Sequence, residues 1–371
     1  MPLGAASRLY TDAMSTAAVT PRTEGVTPAP TLRAETEAIY AAVAGGSLGA
    51  VYGLIVGLFA IDIPLADENG SFGLLAAIGA AAIAAGASIT GYWRSRNKPG
   101  QEWRRSLPSW KFTVNTISVV IVHTVLAFLA TYAGFRVLGM GFIGLPVIMF
   151  WAIVLMAVTL GLASYLVYLS VSRMTTQRMS SLLMAFIVIG TLTAMVTTPD
   201  PEWWKVHFSH LGTFNDLSSF VFNGTLIAGG LLVTTFAVYI ANDLDALIAG
   251  STLTNARSPR IVSTLFVIMG VMLACVGVFP VDVNLWLHNL SASGMALMFL
   301  VLLIAGPKLL GGMPRTYFLS AWGFLAATIA SVVLFAVGYF SLTAFEIIVF
   351  ALIFGWIAVF IRFLGVAGQR D

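Results

Sequence analysis

Charge is what this chain most lacks. Asp, Glu, Lys and Arg make up 9% of its 371 residues and hydrophobic residues 58%, whereas soluble domains carry roughly 25% and 45–50%. So few charges cannot coat a globule of this size, and a soluble enzyme is excluded. Cysteine is nearly absent too: Cys275 stands alone, inside the apolar run Ile261 to Phe279, where it reads as a small packing residue and offers neither an internal disulfide nor redox chemistry. No G-x-S-x-G elbow, phosphate-binding P-loop or G-x-G-x-x-G turn occurs, so hydrolase-fold, ATP-driven and dinucleotide chemistry lack their signatures. Of four histidines only His123 lies deep in an apolar run, which leaves a bundle haem without paired axial ligands. The net charge of +3 gives no footprint for nucleic acid. Residues 1–39 contain no apolar core of a secretory signal; their Ala, Thr, Ser and Pro predict a disordered cytoplasmic tail.

What is present is apolar length. A hydrocarbon layer about 30 Å thick needs about 20 mostly apolar residues in a helix, and ten runs meet that requirement: Tyr40–Ile61, Phe72–Trp93, Phe112–Gly134, Leu145–Ser170, Met179–Thr198, Ser219–Ala241, Ile261–Phe279, His288–Ala305, Phe318–Phe340 and Phe345–Phe363. The predicted fold class is therefore an all-α integral membrane protein of ten transmembrane helices. It divides into a four-helix module over residues 40–170 and a six-helix bundle over 171–371. Positive charge resists translocation. With both termini cytoplasmic, seventeen of the nineteen Lys and Arg residues fall in inner segments, leaving Arg136 and Lys205 outside. That distribution predicts a multi-pass protein of the bacterial cytoplasmic membrane. The inner hairpin from Arg94 to Lys111 holds six of these cations and is expected to attract anionic lipid at about 1 kcal/mol per charge. Acidic residues lean outward (Asp62, Asp67, Glu68, Asp200, Glu202, Asp216 and Asp282), either for a function or because acids are tolerated where bases are not.

Within the runs, Gly45, Gly49, Gly53 and Gly57 recur every fourth residue and form a stripe on one helix face, which lets another backbone approach closely. Its partner is either the Ala-rich second span, Ala80 to Ala87, or another subunit. Polar side chains in hydrocarbon are costly and therefore informative. Asn115 and His123 on the third run, with Glu346 at the start of the tenth, form a candidate polar path for a proton or solute. The competing reading is structural: His123 bonds a neighbouring helix, and Glu346 caps its own.

The densest chemistry lies in the outer loop from Pro199 to Asp216. His207 and His210, with Asp216 there and Asp282 and His288 from the next outer loop, are the types of ligand that tetrahedral zinc takes, although no H-E-x-x-H or cysteine pair supports a metal motif. The alternative is an interfacial belt in which Trp203, Trp204, Lys205, Ser209, Gly212 and Asn223 meet lipid headgroups or a solute.

The stretch His207-Phe-Ser-His-Leu-Gly-Thr, then Ser219-Phe-Val-Phe-Asn-Gly-Thr, then Val276-Gly-Val-Phe-Pro and His288-Asn, resembles the bacterial membrane family known as domain of unknown function 998. That family is in turn similar to the DRAM and Sfk-type membrane proteins, whose first outer loop carries Ser-Asp-x-Gly. Ser209, Leu211 and Gly212 match that pattern, and His210 stands where its Asp would be. The resemblance covers residues 179–365, about half the chain, and implies a six-helix bundle and lipid handling with no agreed reaction. The expected function is thus contact with membrane lipids or solutes at an outer mouth, without catalysis. A small-solute permease and a metal-dependent lipid enzyme are the alternatives.

Overall fold

The computed structural model describes residues 30–59, 63–66, 70–213 and 215–367. Among them are ten helices long and apolar enough to cross a membrane: α1 (Pro30–Phe59), α2 (Phe72–Ser95), α3 (Ser109–Gly141), α4 (Met149–Ser172), α5 (Thr176–Thr197), α6 (Leu217–Ala249), α7 (Ser258–Val278), α8 (Leu285–Leu309), α9 (Arg315–Ala336) and α10 (Leu342–Ala367). The chain is a multi-pass membrane protein. Hydrocarbon offers backbone groups no partner, so each crossing closes its own hydrogen bonds as a helix. Among the described residues the one sheet is a two-stranded patch, β1 (Ile63–Pro64) antiparallel to β2 (Pro146–Val147).

Each predicted span coincides with one helix, but several helices outrun the apolar segment that announced them. The largest difference is at α1. Residues 30–39, expected as tail, form its first turns, held there by polar contacts that hydropathy ignores. Glu37 accepts from Lys98 Nζ at 2.7 Å and from Arg33 Nε at 3.3 Å. Glu35 accepts from Arg173 at 3.1 Å and from the Tyr165 hydroxyl at 2.8 Å. The rest of the expected tail, residues 1–29, lies outside the described residues, as do Asp62, Asp67 and Glu68 of the outward acids.

The glycine stripe packs on α4, not on the Ala-rich α2. A Cβ at Gly49 would lie 2.6 Å from the Met156 carbonyl oxygen and one at Gly45 would lie 2.7 Å from Ser164 Cβ, while one at Gly53 would run into the backbone of Ala152. The bare face lets the two backbones touch, and Ser164 Oγ donates to the Ala41 carbonyl across the seam at 2.8 Å. A second close crossing, at Gly230 of α6 and Gly270 of α7, has no stripe to announce it. A Cβ on Gly270 would meet the Gly230 carbonyl at 2.7 Å. The largest hydrophobic core runs through the C-terminal helices around Phe236, Phe266, Trp356 and Phe360 and reaches Val119 and Val122 of α3.

Helix alternation sends the connections to two ends. One end carries the α2–α3 hairpin and the α4–α5, α6–α7 and α8–α9 turns, with nearly all the described Lys and Arg; we call it the basic end. Not every cation of the hairpin there is at the surface. Arg104 is buried at 1% exposure, and Arg105 is bonded to Asn97. Arg104 donates to the Tyr92 carbonyl at 2.9 Å, to Ser95 Oγ at 2.6 Å and to the Tyr239 hydroxyl at 3.3 Å, and it lies 4.1 Å from the centroid of the Tyr92 ring.

Candidate functional site

At the opposite end, the long α5–α6 connection folds back over α8 and α10. A 3-10 turn at Phe208–Gly212 forms its centre. It is pinned from below: Phe208 packs edge-on to Phe222 and Phe350 with ring centroids 5.1 and 5.8 Å away. Asn223 Nδ2 donates to the Gly212 carbonyl at 2.9 Å, and the Ser218 hydroxyl donates to the carbonyls of Ala194 and Leu211. The turn then enters α6 through a capping box in which Asp216 accepts from the Ser219 amide and Ser219 Oγ accepts from the Asp216 amide. A Cβ on Gly212 would stand 2.5 Å from Asn223 Oδ1, so a larger residue there would have to push the Asn223 amide aside.

This folding puts Ser209 over the start of α8. His288 is buried at 4% exposure. Its Nδ1 is 2.9 Å from the Phe279 carbonyl oxygen and its Nε2 is 3.0 Å from Ser209 Oγ. A carbonyl only accepts, so Nδ1 carries the proton, and Nε2 accepts from the serine hydroxyl. Glu346 joins from α10, accepting the Phe208 amide at 2.6 Å. It does not cap its helix. It is the fifth residue of α10, and Ser341 Oγ, just before that helix, accepts the Ala344 amide instead. His207 and His210 sit beside this centre with their rings 5.5 Å apart, and His210 Nε2 lies 3.3 Å from Asp200 Oδ2. Partial burial, together with the nearby His210 and His288, holds the His207 imidazole below its ordinary pKa. Trp203 leans on Phe208, while Trp204 is exposed under Lys205 Nζ.

Ser209, His207, His210, His288 and Glu346 therefore converge from the loop, α8 and α10. The five-residue zinc set does not assemble. Asp216 is the helix cap, Asp282 is exposed, and both nitrogens of His288 are engaged. Among the described residues no group of three or more His, Cys, Asp or Glu could hold a metal ion. The polar path is likewise dispersed. His123 is 2.8 Å from the Val119 carbonyl and 3.0 Å from Ser170 Oγ of α4, a closed interhelical link. Asn115 lies eight residues away, about 12 Å along α3, and Glu346 belongs to the loop site.

Residues 181–362 match the model of a family described as a protein of unknown function, DUF998. That segment is a DUF998 domain. No curated protein and no solved structure matches the chain. The DUF998 domain begins in α5 and ends in α10, so the Ser209–His288 pair and Glu346 all lie within it. Sequence reading missed that pairing, because 79 positions separate the two residues and no short motif joins a loop serine to a histidine on a later helix.

Proposed function

We propose that this is a non-enzymatic integral membrane protein that contacts lipid headgroups or a polar solute through the cap of its DUF998 domain. In this reading the basic end faces the cytoplasm of a bacterial cell, since translocation disfavours Lys and Arg, and the cap faces outward at headgroup level. The convergence of Ser209, His207, His288 and Glu346, with Trp203 packed on Phe208 and Trp204 exposed nearby in the same loop, carries the proposal. Hydrogen-bonding groups collected near such aromatic residues suit a molecule that is apolar at one end and wet at the other. The chain's four histidines make the test direct. Imidazole NMR on protein in phosphatidylcholine nanodiscs, then in nanodiscs containing phosphatidylglycerol, is expected to shift His207 and His210 and leave His123 unchanged. Equal spectra would remove headgroup contact.

One observation favours a second reading. A serine donating to a histidine whose other nitrogen is fixed by an acceptor is the nucleophile–base–orienter order of acyl transfer. A fluorophosphonate probe labelling Ser209, and losing that label in His288→Gln, would replace the contact function with catalysis. The permease reading gains no support, because Asn115, His123 and Glu346 belong to three separate settings.

A further inference from the structure

A cleft of about 360 Å³ opens at the basic end between α3, α6, α7 and the α2–α3 hairpin, far from the cap. Pockets that take small organic ligands run ~300–1,000 Å³. Trp103 of its wall packs edge-on against Tyr239, with ring centroids 4.9 Å apart. Its mouth is open toward the surroundings of the helices, where Trp110 and Val267 are exposed. Polar groups occupy two levels. Lys111 and Asp245 stand near the helix ends, Lys111 Nζ 5.6 Å from the Trp110 ring centroid; neither forms an ion pair among the described residues. One turn deeper, Asn115 lines the cleft at 2% exposure, and its Nδ2 has no hydrogen-bond acceptor. The Tyr92 hydroxyl, bonded to Tyr239 at 3.3 Å, is close enough to interact with this amide but makes no well-formed hydrogen bond to it. A buried amide donor without a well-formed bond costs free energy, and an acceptor brought to this depth by a ligand would offset that cost.

We propose that the cleft holds one zwitterionic glycerophospholipid with a primary-ammonium head. Its phosphate meets Lys111, its ammonium meets Asp245, and an ester carbonyl accepts from Asn115 Nδ2, while the chains leave past Trp110 and Val267 into the bilayer. Lys111 and Asn115 are four residues apart on one helix face, about 6 Å along the axis, and a lipid's phosphate and glycerol ester are offset in the same direction. One cation with one anion selects a zwitterion over an anionic head.

Native mass spectrometry of the full chain, released from detergent after incubation with dioleoyl phosphatidylethanolamine or dioleoyl phosphatidylglycerol, tests this. A single phosphatidylethanolamine adduct is expected, retained preferentially over phosphatidylglycerol. Asn115→Leu should lower its retention at least tenfold while melting no earlier than wild type, because the change removes an unmet donor. Asp245→Ala should abolish the preference between the two lipids. Wild-type retention in N115L, or phosphatidylglycerol held ahead of phosphatidylethanolamine, would overturn the proposal. So would equal binding of chain-free glycerophosphoethanolamine, which would make the site a solute pocket. If N115L melts early, Lys111→Ala serves in its place, with the same tenfold loss expected and the same retention counting against the proposal.

Discussion

The two ends of the bundle solve the same problem with different chemistry. At the basic end, a few charges are folded inward and bonded, while most of the other cations stay at the surface. Glu35 and Glu37 bind cations from other segments, and Arg104 is buried among tyrosine, serine and backbone oxygens with no carboxylate in ion-pair range among the described residues. At the cap, the buried links are made by neutral or singly charged acceptors: a histidine on a serine and a carboxylate on a backbone amide. Its full ion pair, Lys205–Glu202, lies on the surface. A buried charge tolerates no loss of its partners, whereas a neutral hydrogen bond costs less to break. The basic end therefore holds the contacts that cost most to break.

Arg104→Ala should produce the largest effect, destabilising the protein by about 3 kcal/mol in equilibrium unfolding in detergent, from lost charge-assisted bonds and the emptied site. Arg104→Lys should recover little, since one ammonium cannot reach three acceptors held by a planar fork. A neutral outcome for both would reduce the basic end to surface electrostatics. Next, His288→Ala should cost about 2 kcal/mol, leaving the Ser209 hydroxyl and the Phe279 carbonyl unmet; a loss equal to that of R104A would erase the contrast between the ends. A smaller effect is expected from pH. With the folded His207 pKa depressed, the unfolded chain takes up its proton first. Its stabilising contribution is complete above the unfolded value of about 6.5 and declines as pH falls below it. His207→Gln should flatten the melting temperature against pH in that window, and an unchanged slope would show that this imidazole does not set it. The smallest change is expected for Lys205→Ala, within about 0.5 kcal/mol, because both partners are more than half exposed.

Spans were legible because solvent imposes them: twenty apolar residues in lipid have one backbone solution. The stripe from Gly45 to Gly57 was legible as a packing face for a similar reason, as its spacing matches the helical repeat. Its choice of α4 was not, since Ala-rich α2 is equally small. Glu35 and Glu37 were read as tail because hydropathy counts a charge as solvated whether or not a cation meets it. At the site, the loop from Pro199 to Asp216 was identified by its density of polar residues. The roles within it were not. Glu346 looked like a helix cap, and Asp216, offered to a metal, proved to be one.

Composition and cation placement by themselves determined a ten-pass helical membrane protein, because burial of apolar surface and backbone satisfaction in lipid depend on short windows of chain. Only the tertiary structure decided that Ser209 meets His288, that Arg104 is interior and that Asn115 faces a cleft with its donor unmet. Those facts arise where helices distant in sequence cross, and a hydrogen bond or a buried charge is defined by its partner, which no local pattern names.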